Sequence, residues 1–418
     1  MIATAVLAAD YAGTLELNEV TTLRGRGTQG QGAGVDFVEA PTASVRVADR
    51  LSSYTLTYSP TLTLPDFEEG IHPQLINVGN AIAAWHHRST SFTVTEGAMY
   101  GVLDSAYLQQ TQILIPGQQA TLNAVPNPGV ITVFGSTTDA TLRQGVGRRV
   151  VLSLSGDYFV SGGADPASRI ELPEEYGPRA SASVAYTASR LDLLTTRVLV
   201  QELRTKGGCP TVATTGTQVP VVGVPPEAGV ALCRERVESV QLDETLRRRL
   251  SRTTILTLGA GAAVYDTDAP DLGVEETLLY PVALAQLSYH FGFKGTSELS
   301  LYAQLAPNVD PLTGLTAEYL QGSANLTDVF TSSRRLHLGI SALKTTQSSD
   351  VYDDVSLVTG SADATLGLDR LTDLSFGVQG LWQEHSDYGT LGSNTVSNQL
   401  WSVFAYVALT VRARPMRF

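Results

Sequence analysis

The chain has 418 residues, 43% of them hydrophobic and only 17% charged, with a formal net charge of -13 and 2 cysteines. That acidity argues against a nucleic-acid partner, which needs a basic face, and no run of 18 apolar residues supplies a transmembrane helix. A chain of this size can still cross a membrane as a closed β-barrel.

Residues 1–11, "MIATAVLAADY", read as a leader or the remnant of a secretory signal, because "AVLAA" resembles the small-residue end of one. From residue 12 onward the chain alternates. The stretch 54–64, "YTLTYSPTLTL", sets Tyr54, Leu56, Tyr58, Pro60, Leu62 and Leu64 against Thr55, Thr57, Ser59, Thr61 and Thr63. Alternation of this kind makes a strand with two unlike faces, and here the polar face carries hydroxyls rather than charges. The pattern recurs over 12–20, 36–48, 53–65, 77–86, 91–103, 130–142, 149–160, 180–188 and 193–204. It continues over 236–247, 253–265, 278–292, 296–306, 317–330, 335–345, 355–367, 373–384 and 399–412. Most of these segments have the length that a tilted strand needs to cross a bilayer. Segment 236–247, "RVESVQLDETLR", is heavily charged and is the weakest of them, and Glu96 falls on the apolar parity of its neighbours.

The links between segments sort by length. Every second link is short ("ADRLSS", "HHRST", "RQGVGRR", "ASRLD", "RRLSR", "FGFKGTS", "TSSRR", "LDRLT") and the others are mostly long. A barrel with short periplasmic turns and long external loops produces this alternation. Charge sorts the same way. Short links hold arginines such as Arg50, Arg88, Arg148, Arg190, Arg334 and Arg370, whereas the long ones hold acidic runs such as Asp66–Glu69 and Asp350–Asp354. The expected fold is all-β: a transmembrane antiparallel up-and-down barrel of about 18 strands over 12–418, in the bacterial outer membrane. Its lipid face would carry an aromatic girdle of Tyr54, Tyr158, Phe291, Phe293, Trp382 and Trp401. Outer-membrane lipid and lipopolysaccharide are then its surroundings.

By parity the lumen is lined by Glu16, Asn18, Asp157, Tyr280, Gln286, His290, Glu298, Tyr302, Gln304, His337, Gln379 and Tyr406. This polar, aromatic and slightly acidic set suits sugars, whose CH faces pack on rings and whose hydroxyls bond amides and carboxylates. Cys209 and Cys233 bracket a Pro/Gly-rich loop and suggest a disulfide outside the membrane. The long link 104–129 is a candidate constriction loop. The six histidines form no recognisable catalytic motif, no metal site is apparent, and no enzyme activity or cofactor is expected.

The stretch "VADRLSSYTLTYSPTLTLPDF…AAWHHRSTSFTVTEGAMYG" resembles outer-membrane barrels encoded with exopolysaccharide secretion systems. The matching features are the Asp49–Arg50 turn, Tyr58–Ser59–Pro60, the acidic Asp66–Glu69 loop, Trp85–Arg88 and Tyr100–Gly101. The resemblance implies an 18-stranded porin, similar in role to the barrel that exports poly-N-acetylglucosamine. It would be the exit for a polymer from a Wzx/Wzy-type pathway, with polysaccharide as substrate and a periplasmic export partner. A general diffusion porin is the alternative. A structural platform anchoring an adhesin or motility complex is a third, and would have a filled lumen.

Overall fold

The computed structural model describes residues 12–28, 32–64, 73–104, 130–165, 168–208, 232–270, 274–292, 296–309, 316–331, 333–347, 354–386 and 398–417. Its strands in chain order begin with β1 (Ala12–Thr28), β2 (Gly32–Ala48), β3 (Ser52–Leu64), β4 (Gln74–His87), β5 (Thr90–Asp104) and β6 (Val130–Val146). Next come β7 (Val150–Gly163), a short helix α1 (Ser168–Glu171), β8 (Glu174–Thr187), β9 (Asp192–Gly208), β10 (Leu232–Arg249), β11 (Thr254–Ala269) and β12 (Val274–Phe291). The last are β13 (Ser297–Val309), β14 (Thr316–Thr331), β15 (Arg334–Gln347), β16 (Asp354–Gly367), β17 (Thr372–Ser386), β18 (Asn398–Arg412) and the two-residue β19 (Met416–Arg417).

Each strand pairs antiparallel with its chain neighbours, and β1 also pairs with β18 from Asn18↔Arg412 to Thr28↔Ser402. That last ladder closes the sheet and removes both edges. Pairing lapses over Ala413–Pro415 and resumes as Met416–Arg417 against Leu15 and Thr14, so β19 continues β18. The fold is a closed 18-stranded antiparallel barrel. The charged segment at 236–247 is a full strand, paired with β9 and β11.

Side-chain exposure follows the parity of the sequence. On β3, Tyr54, Leu56 and Tyr58 are 42%, 60% and 48% exposed on the outside. The intervening hydroxyls point inward and bond across the ladder, Ser44 to Thr57 at 3.2 Å and Thr42 to Ser59 at 3.0 Å. Similar inward pairs join Ser155 to Ser181 and Thr365 to Ser375. The outside is apolar around the whole circumference, with Leu154, Leu242, Leu320, Ile340 and Val407 all exposed. A continuous apolar belt of this extent belongs in lipid. Aromatics bound it: Trp85 beside Phe92 near the turn end, Tyr100 towards the loop end, and Trp382 beside Trp401 at the loop end. Closed barrels with short turns at one end and long links at the other are the outer-membrane form, with the turns periplasmic. The protein is a bacterial outer-membrane β-barrel.

The strands run 13 to 18 residues, longer than the alternation suggests. The added residues lie mainly at the loop end, where outward Asp266, Asp268 and Glu275 replace the Val and Leu of the belt. Charge there marks the outer limit of the lipid-facing zone and hides strand from a hydropathy reading.

Three of the periplasmic turns are built alike. Asp49 Oδ1 accepts the amides of Leu51 and Ser52, Ser189 Oγ those of Leu191 and Asp192, and Asp369 Oδ1 that of Leu371. In each, the leucine carbonyl then accepts an amide from the next strand: His86, Arg249 and Arg412 in turn. The motif Asp/Ser-Arg-Leu closes a hairpin and pins the neighbouring strand, leaving Arg50, Arg190 and Arg370 exposed.

Candidate functional site

Register partners share a face, so the inner wall can be followed from strand to strand. His290 on β12 faces Glu298 on β13, which faces Thr327 on β14, which faces His337 on β15. His337 faces Asp363 on β16, and Asp363 faces Gly377 on β17. Gly377 faces Tyr406 on β18, Tyr406 faces Arg24 on β1, and Arg24 faces Asp36 on β2. Barrel strands are tilted, so a row perpendicular to them climbs along the axis. This row starts beside the periplasmic turn that follows Phe291 and ends close to the loop ends of β1 and β2. It is an unbroken polar ramp from one side of the membrane to the other.

The adjoining row is of the same character: Ser300, Asn325, Gly339, Ser361, Gln379 and Phe404 on β13 to β18. One row further out, Tyr302, Ser323, Ser341 and Thr359 lead to Leu381. The next row is already apolar on β15 and β16, where Leu343 and Leu357 join Ala317, Tyr319 and Leu381 in a buried cluster. The ramp is thus bounded on its outer side by a dry shelf.

A concavity of about 730 Å³ lies on the ramp between β13 and β18, with Tyr302, Gln304, Asn325, His337, Asp363 and Gln379 among its walls. Tyr302 donates its hydroxyl to Gln304, and Gln321 donates its amide to Gln304 at 2.8 Å. Thr327 and His337 Nδ1 lie 3.2 Å apart. Gly339 makes the hollow: a Cβ there would stand 2.9 Å from both Asn325 Oδ1 and Ser361 Oγ. At the outer end of the ramp Arg24 lies over the Phe404 ring, 5.6 Å from its centroid. Arg24 and Arg26 both hold the fully buried Asp36, at 3.2 and 3.4 Å.

The opposite wall differs. Asp139 and Asp157 are cross-strand partners of like charge, and Arg179 meets Asp157 at 2.9 Å from the other side. Arg197 meets Asp243 at 3.0 Å, and Gln241 donates to the same carboxylate at 2.9 Å. One wall is made of ion pairs. The other offers mainly hydroxyls, amides and rings, many bonded to one another, the kind of surface that exchanges partners with sugar hydroxyls.

The ramp and the rows beside it collect most of the residues expected from parity. His290, Glu298, His337 and Tyr406 lie in the first row, Gln379 in the second, and Gln286 and Tyr302 in the third. Gln304 is one pair further out. His290 and Glu298 approach to 4.0 Å. Glu16 and Asn18 lie at the periplasmic end of β1, Asp157 belongs to the ion-paired wall, and Tyr280 packs edge-on against Tyr265 near the outer end. Of the girdle residues, Tyr54, Tyr158, Trp382 and Trp401 face outward, and Phe291 stacks on Tyr289, 5.8 Å between centroids. Phe293, Cys209 and the 104–129 link lie outside the described residues, as do residues 1–11. Asp36, Asp363, Arg24 and Arg26 were not singled out by sequence reading. Arg24 and Arg26 lie beyond the assumed end of the first segment at residue 20, and "LRGRG" carries a period-2 charge signal that could have extended it. Glu96 does lie on the lipid side, where Ser136 and Thr138 donate hydroxyls to its carboxylate.

Residues 28–220, somewhat under half of the chain, match the model of the EpsX exopolysaccharide export family. That match spans β2 to β9, whereas the concavity lies on β13 to β18. No curated protein matches the chain. Among solved structures, OpdL of Pseudomonas aeruginosa is similar at 10% identity and a TM-score of 0.47, over 98% of this chain and 99% of that one. OccK2 (OpdF) of Pseudomonas aeruginosa in complex with glucuronate is similar at 10% identity and 0.47, over 96% and 98%. The ferric yersiniabactin uptake receptor FyuA of Yersinia pestis is similar at 8% identity and 0.43, over 95% and 80%.

Proposed function

We propose that this barrel is the outer-membrane exit for a secreted polysaccharide, which moves along the polar ramp. The observation that carries the reading is the continuity of that ramp from His290 at the periplasmic side to Tyr406 and Arg24 near the outer mouth. The match to an exopolysaccharide export family over residues 28–220 supports it. The barrel does no chemistry; it supplies a path. Successive sugar units exchange hydrogen bonds among Asn325, Ser361 and Gln379, and their CH faces slide over Tyr302 and Tyr406. Each bond made replaces one broken, so no unit is held long. The driving force then comes from synthesis on the inner side, through a pathway of the Wzx/Wzy type that the resemblance implies. The exposed arginines of the periplasmic turns are the surface an acidic export partner would meet.

The test is single-channel current across a planar bilayer, with neutral polysaccharide added on the periplasmic side. The expected result is that polymer interrupts the current, and that Gly339→Trp, which fills the concavity, weakens the interruption more than Gly380→Trp. Gly380 borders the concavity with its backbone but shares the outward parity of Phe376 and Val378, so a side chain there faces lipid, and its Cβ meets nothing within 4 Å. Large current indifferent to polymer would replace this reading with that of a general diffusion porin.

A further inference from the structure

Strands β12 and β13 pair from Phe291↔Ser297 as far as Ala283↔Leu305, and then part. Both continue: β12 stays paired with β11 to Val274, and β13 with β14 to Val309. Extending the lost register would set Pro281 opposite Pro307. Neither has an N–H to give, so no ladder bond can form there. The same opposition occurs between β2 and β3, where Pro41 would face Pro60. There pairing lapses after Glu39↔Leu62 and resumes in the same register at Ala43↔Tyr58. Facing prolines open a seam locally but do not keep two strands apart. Something else keeps β13 and β14 out of the ladder with β12, whose inward Val282 shares a buried cluster with Val309.

The holding contacts lie inside the barrel. Tyr265, inward on β11, donates its hydroxyl to the Pro307 carbonyl at 3.2 Å. The hydroxyls of Thr267 on β11 and Thr316 on β14 lie 3.1 Å apart, with the two residues 1% and 0% exposed. In the wall β12 and β13 stand between these strands, so β14 can reach the inner face of β11 only across the interior. Val309 at the end of β13 joins a buried cluster with Phe159, Leu203 and Val237, inward residues of β7, β9 and β10. The loop ends of β13 and β14 therefore fold inward from the wall and dock on the inner face of the preceding strands, β7 to β12, at the outer mouth.

We propose that this inward-folded pair of strand ends is a gate, hinged where Pro281 and Pro307 unseat the ladder and latched by Tyr265 and Thr267. In the latched form it narrows the outer mouth above the polar ramp. Opening swings it back towards β12, where the proline-opened seam awaits it; β14 stays laddered to β15 as far as Ala317↔Gln347 and β15 leaves β16 after Lys344↔Ser356, so the end of β15 moves with the gate. The proposal rests on the channel reading above.

Its test uses Thr267→Cys with Thr316→Cys, in a chain whose own cysteines are replaced (Cys209→Ser, Cys233→Ser). Single-channel current is recorded in the oxidised and reduced states, with cross-linking followed by mass. The expected result is loss of the large conductance level on oxidation and its return on reduction. In the uncross-linked chain, Tyr265→Phe raises open probability about two- to tenfold, the worth of one net hydrogen bond. Large openings that persist in the cross-linked protein would overturn the gate and leave the channel. Failure of the cysteines to cross-link would overturn it as well. Absence of current in every state, from protein shown to be folded by heat-modifiable mobility, would overturn the channel reading itself.

Discussion

Leu56 lies mid-strand on β3, faces outward and is 60% exposed. Its neighbour Thr57 faces inward and shares a hydrogen bond with Ser44. Leu51 sits in the periplasmic turn, 43% exposed. Arginine at these three positions separates lipid, lumen and water within seven residues. At the bilayer midplane an arginine on the lipid face costs about 2–4 kcal/mol, falling to about 0–1 near the interface. At 1.4 kcal/mol per tenfold, Leu56→Arg should lower the folding equilibrium constant roughly 30- to 700-fold. Thr57→Arg loses one hydroxyl pair, about 0.5–1.5 kcal/mol, and its guanidinium stays in the watery interior. Leu51→Arg should be within about 0.5 kcal/mol of the parent, like most surface changes. The assay is urea unfolding and refolding in short-chain lipid vesicles, followed by tryptophan fluorescence. Equal costs at Leu56 and Thr57, or a larger cost at Thr57, would refute the assignment of faces and with it the polar interior.

Three further outcomes follow from single contacts. Arg197→Ala removes the guanidinium from the carboxylate of Asp243, which is 7% exposed and keeps the Gln241 amide, and should cost about 1.5–3 kcal/mol. Arg204→Ala, half exposed beside Glu202, should shift the same titration far less than Arg197→Ala, because water screens the pair. The amide of Leu371 holds the Asp369 carboxyl below its ordinary range. A lowered folded-state value contributes stability that is present above the unfolded pKa and lost as pH falls through the folded one. The difference in stability between the parent and Asp369→Ala should therefore be full at neutral pH and vanish in acid, measured by unfolding across a pH series.

Much of this fold was legible because lipid enforces period 2 more strictly than water does. "YTLTYSPTLTL" has its apolar face out and its hydroxyls in, as the alternation required. Link length and charge gave the topology and the closure. The end of the first strand was not legible: past Leu23 the outer face is Gly25 and Gly27, so Arg24 and Arg26 carried no hydropathy contrast to mark them as strand. The ramp was legible only as a set of inward residues. Its continuity depends on register, and no period in the sequence encodes which residue of β15 sits beside Asp363. The inward turn of β13 and β14 was hidden for the same reason, although Pro281 and Pro307 were in view. Their opposition exists only once the pairing is known.

The most direct test of the central claim is where polymer accumulates in cells whose only copy of this barrel carries Gly339→Trp. The variant must be folded and present in the outer membrane, by heat-modifiable mobility. The account predicts that extracellular polysaccharide falls and periplasmic polysaccharide rises, with Gly380→Trp behaving as the parent. Full secretion through the Gly339→Trp barrel, or in cells lacking the barrel altogether, would contradict it.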